Sequence, residues 1–326
     1  MNFPVVRKRR LRKTSPLREM VAETQLRVQD LVYPIFINDE AHSRVPVASM
    51  PGIFQQSIDN AVIEVGQAMD AGIRSVLLFG VPAEKDQEGS NAWFEQGVTQ
   101  RAIRELKRQF GQDLIVIADT CLCEYTSHGH CGVLMEGRVL NDPTLEILSR
   151  AAVSQAQAGA DIIAPSDMMD GRVAYLRDSL DDAGYDDIPI MAYSAKYASS
   201  LYAPFRDAAE STPASGDRKS YQMDPRNARE ALEEVTLDVQ EGADIIMVKP
   251  ALSYQDIISQ VRRMVNLPVA AYNVSGEYSM VKAAAANGWI NERDVVLELL
   301  TGIKRSGADI IITYHAVDAA RWLLKQ

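Results

Sequence analysis

A closed (β/α)8 barrel with an extended N-terminal arm is the fold this sequence predicts, and three observations carry the prediction. Eight short apolar runs recur along 326 residues, with helical stretches between them. The runs are continuous in Val, Ile and Leu rather than alternating, which suits parallel strands covered on both faces. Three of them open on one phrase, AGADIIAPS, EGADIIMVKPA and SGADIIITYHA, in which a helix stops at a Gly before the strand begins. Eight β–α repeats over roughly 300 residues fit one barrel domain.

The elements follow in order. Residues 1–29 have no place in a barrel and read as an arm. The arm carries the block RKRRLRK at Arg7 to Lys13, on a chain whose net charge is −10. That acidic balance argues against general nucleic-acid binding, so the block reads as a solvated or subunit-contacting arm. The barrel occupies residues 30–326, and its first four strands are LVYPIFI (31–37), SVLLFGV (75–81), LIVIADTCL (114–122) and ADIIAPS (160–166). IPIMAYSAK (188–196), ADIIMVKPA (243–251), LPVAAYNVS (267–275) and ADIIITYHA (308–316) complete the set. A doubly wound open sheet is the alternative, but no G-x-G-x-x-G turn follows an early strand. The turn-rich stretch ESTPASGDRKSYQMDP (210–225) is long for a βα connection, and an active-site lid is expected around residues 206–225.

Composition bounds the function class. Hydrophobic content of 47% supports a large core, and no apolar run approaches the ~20 residues needed to cross a membrane. The start, MNFPVVRKRRLRK, lacks the apolar stretch of a signal peptide, so a cytoplasmic location is expected. Three cysteines, an odd number in a reducing compartment, argue against a disulfide framework.

Barrel enzymes place their chemistry at the C-terminal ends of the strands. Here those positions hold Asp119, Ser166, Lys196, Lys249, Ser275 and Tyr314. Lys249 and Lys196 end neighbouring strands about 5 Å apart. A dry barrel mouth disfavours the ammonium form, and each charge repels the other, which leaves a nucleophilic neutral amine. One Schiff-base lysine beside an electrostatic partner, or two carbonyl substrates side by side, both fit.

All three cysteines fall within CLCEYTSHGHC, from Cys121 to Cys131. In extended chain Cys121 and Cys123 point the same way, and the loop through Gly129 brings back Cys131. Three thiolates suit zinc with an open, catalytic position, whereas a structural zinc would recruit His128 or His130 as a fourth ligand. A redox thiol cluster lacks the usual C-x-x-C pair. Arg206 and Arg218 flank the lid, where guanidinium groups can grip a carboxylate, and Ser275 and Tyr314 offer hydroxyls for another.

These residues jointly resemble the porphobilinogen synthase (δ-aminolevulinate dehydratase) family. DTCLCEYTSHGHCG (119–132) is similar to its zinc loop and MVKPA (247–251) to its Schiff-base strand. IMAYSAKYASSLYAPFRDAA (190–209), GDRKSYQM (216–223) and NVSGEYSM (273–280) match as well. The resemblance implies a lyase that condenses two δ-aminolevulinate molecules to porphobilinogen with loss of water, in haem biosynthesis. Carried over, Lys249 forms the Schiff base with the first substrate and Lys196 with the second. Cys121, Cys123 and Cys131 hold a catalytic zinc beside the second substrate's amine, and Asp119 is the candidate proton acceptor. Arg206, Arg218 and Gln222 clamp the second substrate's carboxylate; Ser275 and Tyr314 hold the first's, with Ser166 and Tyr202 lining the pocket. The family also implies a homo-octamer with the arm embracing a neighbour, and an allosteric magnesium ion at Glu234, close to a partner's arginine such as Arg12. On this reading His128 and His130 shape the loop rather than bind metal.

Three positions depart from the family pattern. Ala203 replaces a Gly in the turn before Arg206, Tyr197 replaces a Phe and is expected to bring a hydroxyl near the site, and His315 follows Tyr314. His315 reads as packed and hydrogen-bonded, or as titrating near neutral pH. A class I aldolase-like lyase on the same barrel, needing one lysine and no metal, and a zinc-binding or zinc-sensing module are the competing readings.

Overall fold

The structure, a computed structural model, describes residues 2–325. Eight parallel strands form the barrel: β1 (Leu31–Asn38), β2 (Ser75–Val81), β3 (Ile115–Thr120), β4 (Ile162–Pro165), β5 (Met191–Lys196), β6 (Ile245–Lys249), β7 (Val269–Asn273) and β8 (Ile310–Thr313). Ladders join them in the order β4-β3-β2-β1-β8-β7-β6-β5. The circuit closes between β4 and β5 through an isolated parallel bridge, Ile163 to Ile190. Each expected run coincides with a strand: the second matches end to end, the first runs one residue further to Asn38, and the other six are trimmed where the apolar pattern outlasts the ladder.

Alternate residues divide between two cores, as the period-2 geometry of strands dictates. On β1, Leu31, Tyr33, Ile35 and Ile37 pack outward on the helices. Val32 and Phe36 point inward, meeting Leu77, Phe79, Ile117, Met247 and Ile312. The outer helices are Ile58–Asp70, Val98–Phe110, Asn141–Ala158, Arg172–Asp182, Arg229–Gln240, Gln255–Met264, Glu292–Ser306 and Ala316–Leu323. An additional helix, Ser275–Ala286, follows β7 at the rim.

The repeated Gly-Ala-Asp phrase is a structural staple. Gly159, Gly242 and Gly307 take positive φ of 101°, 97° and 122°, a conformation that favours glycine and ends each helix. The following aspartate then reaches the preceding strand. Asp161 Oδ2 accepts from Val116 N at 2.7 Å, Asp244 Oδ2 from Ile190 N at 2.8 Å, and Asp309 Oδ2 from Val269 N at 2.9 Å. In return each aspartate's own N–H donates to the carbonyl of that same residue.

Four three-residue strands lie outside the expected set, Arg44–Pro46 with Phe54–Gln56 and Val133–Met135 with Arg138–Leu140. Such short, polar-flanked pieces carry no apolar run to announce them. The arm comprises a turn at Lys8–Arg12 and a short helix at Ser15–Met20. Residues 2–23 are exposed apart from the half-buried Leu17. Packing on the barrel begins earlier than residue 29: Leu26 and Val28 join the outer core, and buried Asp30 pairs with Arg27 and Lys304. Among the described residues no helix is long and apolar enough to cross a membrane.

Candidate active site

Lys196 and Lys249 are the last residues of β5 and β6 and are register partners across that ladder. Both are buried. They line one small, tightly filled cavity with Cys123, Glu124, Ser166 and Arg218, walled by Phe79, Tyr202 and Phe205.

The two amines have different surroundings. Lys249 Nζ lies 4.3 Å from the ring centre of Tyr272, 5.0 Å from Tyr193, 5.3 Å from Tyr202 and 5.2 Å from Phe205. Burial, followed by the nearby Lys196 charge, lowers its pKa to about 7. Lys196 donates to the carbonyl oxygen of Ser166. Burial pulls its pKa down too, but Cys131, Cys121 and Cys123 outweigh burial and hold Lys196 above the usual lysine range. Neighbouring groups whose environments push them apart are suited to different tasks.

Asp119, near the end of β3, accepts from Ser166 Oγ at 3.0 Å, and its Oδ1 has no partner. Gln155 holds the Asp119 carbonyl at 2.9 Å while Thr120 holds Gln155 at 2.6 Å. Burial, reinforced by Glu124, raises the Asp119 pKa to about 8 against the pull of the two lysines.

The three cysteines converge, all buried, with their sulfurs within 4.8 Å of one another. Cys121 and Cys123 meet at 3.4 Å in a turn past the end of β3 rather than on extended strand. Hydrogen bonds from Cys121 and Cys123 pull Cys131 well below the ordinary thiol range, while burial pushes Cys121 up. Three soft donors in a dry pocket, one of them already stabilised as thiolate, fit a metal ion such as zinc. Neither His128 nor His130 joins this donor group. His130 instead spans Tyr221 Oη at 3.1 Å and Ser215 O at 3.0 Å, and His128 reaches Gln87 O at 3.2 Å. Both act as loop-shaping residues that tie the cysteine loop to the lid and to the β2 loop.

The 206–225 segment, the expected lid, packs over the cysteine loop at the rim. Arg218 Nη2 donates to Gly129 O at 2.8 Å and to Ser211 O at 2.5 Å, and Ala214 N donates to His128 O at 3.0 Å. A Cβ at Gly129, whose φ is +69°, would sit 2.6 Å from Thr212 O, so glycine lets the lid approach. Three residues from the β1 and β2 loops clamp the end of the short helix Ala203–Ala208. Ser49 reaches Asp207 Oδ2 at 2.5 Å, Gln55 reaches Ala208 O at 2.8 Å, and Lys85 reaches Glu210 O at 2.7 Å.

The remaining expected residues divide. Of the clamp, Arg218 lines the small cavity, Arg206 is half-buried with Nε unpaired, and Gln222, bonded through its backbone to Arg218, keeps its side-chain amide buried and unpaired at the border of a separate open cleft. Ser275 begins its helix but its Oγ is engaged, accepting from Phe205 N at 2.9 Å and donating to Leu201 O at 3.3 Å. Tyr314 follows β8 and meets Tyr272 Oη at 3.1 Å, one layer behind Lys249. Tyr202 walls the cavity and donates to Lys249 O at 3.2 Å. Glu234 stands in the cleft that Gln222 lines, with Asp170, Asp224 and Glu230, and burial raises its pKa to about 7.

Two departures read differently in three dimensions. The Tyr197 hydroxyl donates to Asn227 O at 3.0 Å while its ring stacks on Tyr254 at 4.1 Å, so it points to the outer layer and not into the site. His315 is packed against Tyr278, but neither ring nitrogen has a hydrogen-bond partner. Burial lowers its pKa to about 3, which removes it from titration near neutrality. Ala203 has φ of −54°, an ordinary helical value with no need for glycine. Sequence reasoning missed Glu124, buried at 2% exposure within the cysteine loop, and the aromatic box around Lys249. The alternation of Tyr193 with inward neighbours on β5 was the available signal for the box; Glu124 had none.

Strand-end amines over a thiol cluster, in a closed parallel barrel, define a (β/α)8 enzyme with a rim suited to carbonyl chemistry. Residues 5–322 match the family model described as delta-aminolevulinic acid dehydratase. A delta-aminolevulinic acid dehydratase of Synechococcus elongatus is 62% identical over 98% of this chain and 99% of its own. One from Bacillus subtilis is 56% identical over 97% and 98%. The crystal structure of delta-aminolevulinic acid dehydratase (porphobilinogen synthase) from Toxoplasma gondii, in complex with the reaction product porphobilinogen, superposes with a TM-score of 0.96. It shares 46% identity and covers 98% of this chain and 92% of that one. The chain belongs to the delta-aminolevulinic acid dehydratase family and is a lyase.

Proposed function

We propose that the chain condenses two δ-aminolevulinate molecules to the pyrrole porphobilinogen with loss of water, as a step of tetrapyrrole synthesis. The observation that carries this reading is the register pairing of Lys196 with Lys249 above three clustered thiols. Lys249, half neutral near pH 7, attacks the carbonyl of the first substrate, and its aromatic box excludes competing water. Lys196 engages the carbonyl of the second. Asp119 holds its proton up to about pH 8, so at neutral pH it can deliver a proton to a departing hydroxyl before accepting one. Ser166, bonded to both Asp119 and Lys196, keeps the two in line.

Cys121, Cys123 and Cys131 would hold zinc, which supplies a Lewis acid able to lower the pKa of an adjacent amine. Arg218, with Arg206 and Gln222 on the lid, recognises the second substrate's carboxylate. Ser275 and Tyr314 recognise the first's once the backbone at Leu201 and Phe205 releases Ser275. The exposed arm embraces a neighbouring subunit in a homo-octamer, and Glu234 takes an allosteric magnesium ion near a partner's arginine such as Arg12. A cytoplasmic location accords with this biosynthetic role. An aldolase-like lyase would leave the thiol cluster and the second lysine without a task.

Supplying δ-aminolevulinate and assaying for a pyrrole tests the reading directly; absence of any pyrrole sinks it. Replacing Cys121, Cys123 and Cys131 by serine is expected to abolish turnover and stoichiometric zinc while the far-ultraviolet circular dichroism persists. Turnover retained by a zinc-free triple variant would remove the metal from the scheme.

A further inference from the structure

Glu124 has no part in the scheme above, yet its carboxylate is more deeply buried than that of Asp119, at 2% against 4% exposure. Its Oε2 has neither a hydrogen-bond donor nor contact with solvent. The side chain lines the small cavity together with Cys123, Lys196 and Ser166. Its oxygen lies within 4.8 Å of the Cys121 sulfur and of the Asp119 carboxylate. None of the surrounding cations is bonded to it, although Lys249 lines the same cavity and the Arg218 Nε is itself unpaired. Arg218 donates to Gly129 O and Ser211 O, Lys196 to Ser166 O, and Lys85 to Glu210 O. A buried acceptor left unpaired is costly and calls for a partner that arrives with the ligand.

The chemistry of that partner follows from the cavity. A ligand whose carbonyl meets Lys196 must present a hydrogen-bond donor close to that carbonyl to reach Glu124. In δ-aminolevulinate the amino group is one carbon from the carbonyl. We infer that Glu124 is a specificity-determining residue whose free oxygen accepts a hydrogen bond from the amino group of the substrate seated on Lys196. This rests on the proposed function and extends it: Glu124 distinguishes a δ-amino-γ-keto acid from the same keto acid without the amine.

The test compares δ-aminolevulinate with levulinate, which lacks only the amino group, on the zinc-loaded enzyme. In Glu124→Gln the half-saturating δ-aminolevulinate concentration should rise about tenfold, the loss expected for a hydrogen bond to a charged group. Levulinate affinity, measured by calorimetry in a Lys249→Met background so that the Lys196 seat alone is read, should stay within about twofold, and zinc stoichiometry should be unchanged. Glu124→Asp keeps the carboxylate but shortens its reach, so it should show the same selective loss to a smaller degree; it carries the test if the Gln variant does not fold. Equal loss for both ligands would make Glu124 a pocket-shaping residue and overturn the inference, as would no loss for either. Reduced zinc affinity would make it a metal ligand and overturn it equally. A wild-type enzyme that makes no pyrrole from δ-aminolevulinate removes the proposed function itself, a result distinct from all of these.

Discussion

At Lys249 the direction of the pKa shift decides what the residue can do. A free lysine amine is almost wholly protonated at neutral pH, whereas this one titrates at about 7 because it is buried beside Lys196. The neutral amine is the nucleophile, so borohydride trapping of substrate on Lys249 should be slow below pH 6, half-maximal near 7 and flat above about 8. A trapping profile still rising above pH 9 would show an ordinary lysine. The lysines and cysteines were legible in the sequence because reactive side chains at the ends of apolar strands are conspicuous. Glu124 was not, since CEYTSHGHC reads as a polar loop and its burial is completed by residues remote in sequence, Ser166, Lys196, Arg218 and Lys249. His315 misled for the same reason: its lack of partners is set by Tyr278 and the neighbouring helix.

Among the elements, the eight strands were legible because a strand covered on both faces must be apolar throughout. The short hairpins were not, since their pairing depends on contacts made elsewhere. The Gly-Ala-Asp repeats carried more than a helix stop. Asp161 satisfies Val116 N and also holds Lys107 at 2.8 Å on the face of the barrel remote from the lysines. Asp161→Ala leaves a buried strand amide without its acceptor and should cost about 1–3 kcal/mol in urea denaturation. The turnover number should remain within about twofold, because conservation of shape at that end concerns stability and not chemistry. Wild-type stability in the variant would mean that water replaces the carboxylate.

For the whole molecule, the arm is the part that a single chain leaves unexplained. Phe3 and Met20 are 74% and 75% exposed beside Val5, Val6 and Leu11, an apolar surface interleaved with arginines. Deleting residues 2–23 should yield smaller species by analytical ultracentrifugation while the circular dichroism of the barrel persists. An unchanged sedimentation profile would separate the arm from assembly. A magnesium titration of activity should lose its response in Glu234→Ala if the half-buried carboxylate serves as proposed.

The staples also divide the barrel into couples. Asp161 fastens β4 to β3, Asp244 fastens β6 to β5, and Asp309 fastens β8 to β7. No such staple crosses from β4 to β5, where one bridge between Ile163 and Ile190 makes the join. The cylinder therefore has a seam, and amide hydrogen exchange should be fastest among the strands along it. That seam runs up to Ser166 on one side and Lys196 on the other. The weakest joint in the wall thus ends between two groups held to each other at the rim, and breathing there would carry Lys196, together with its register partner Lys249 on β6, away from Asp119.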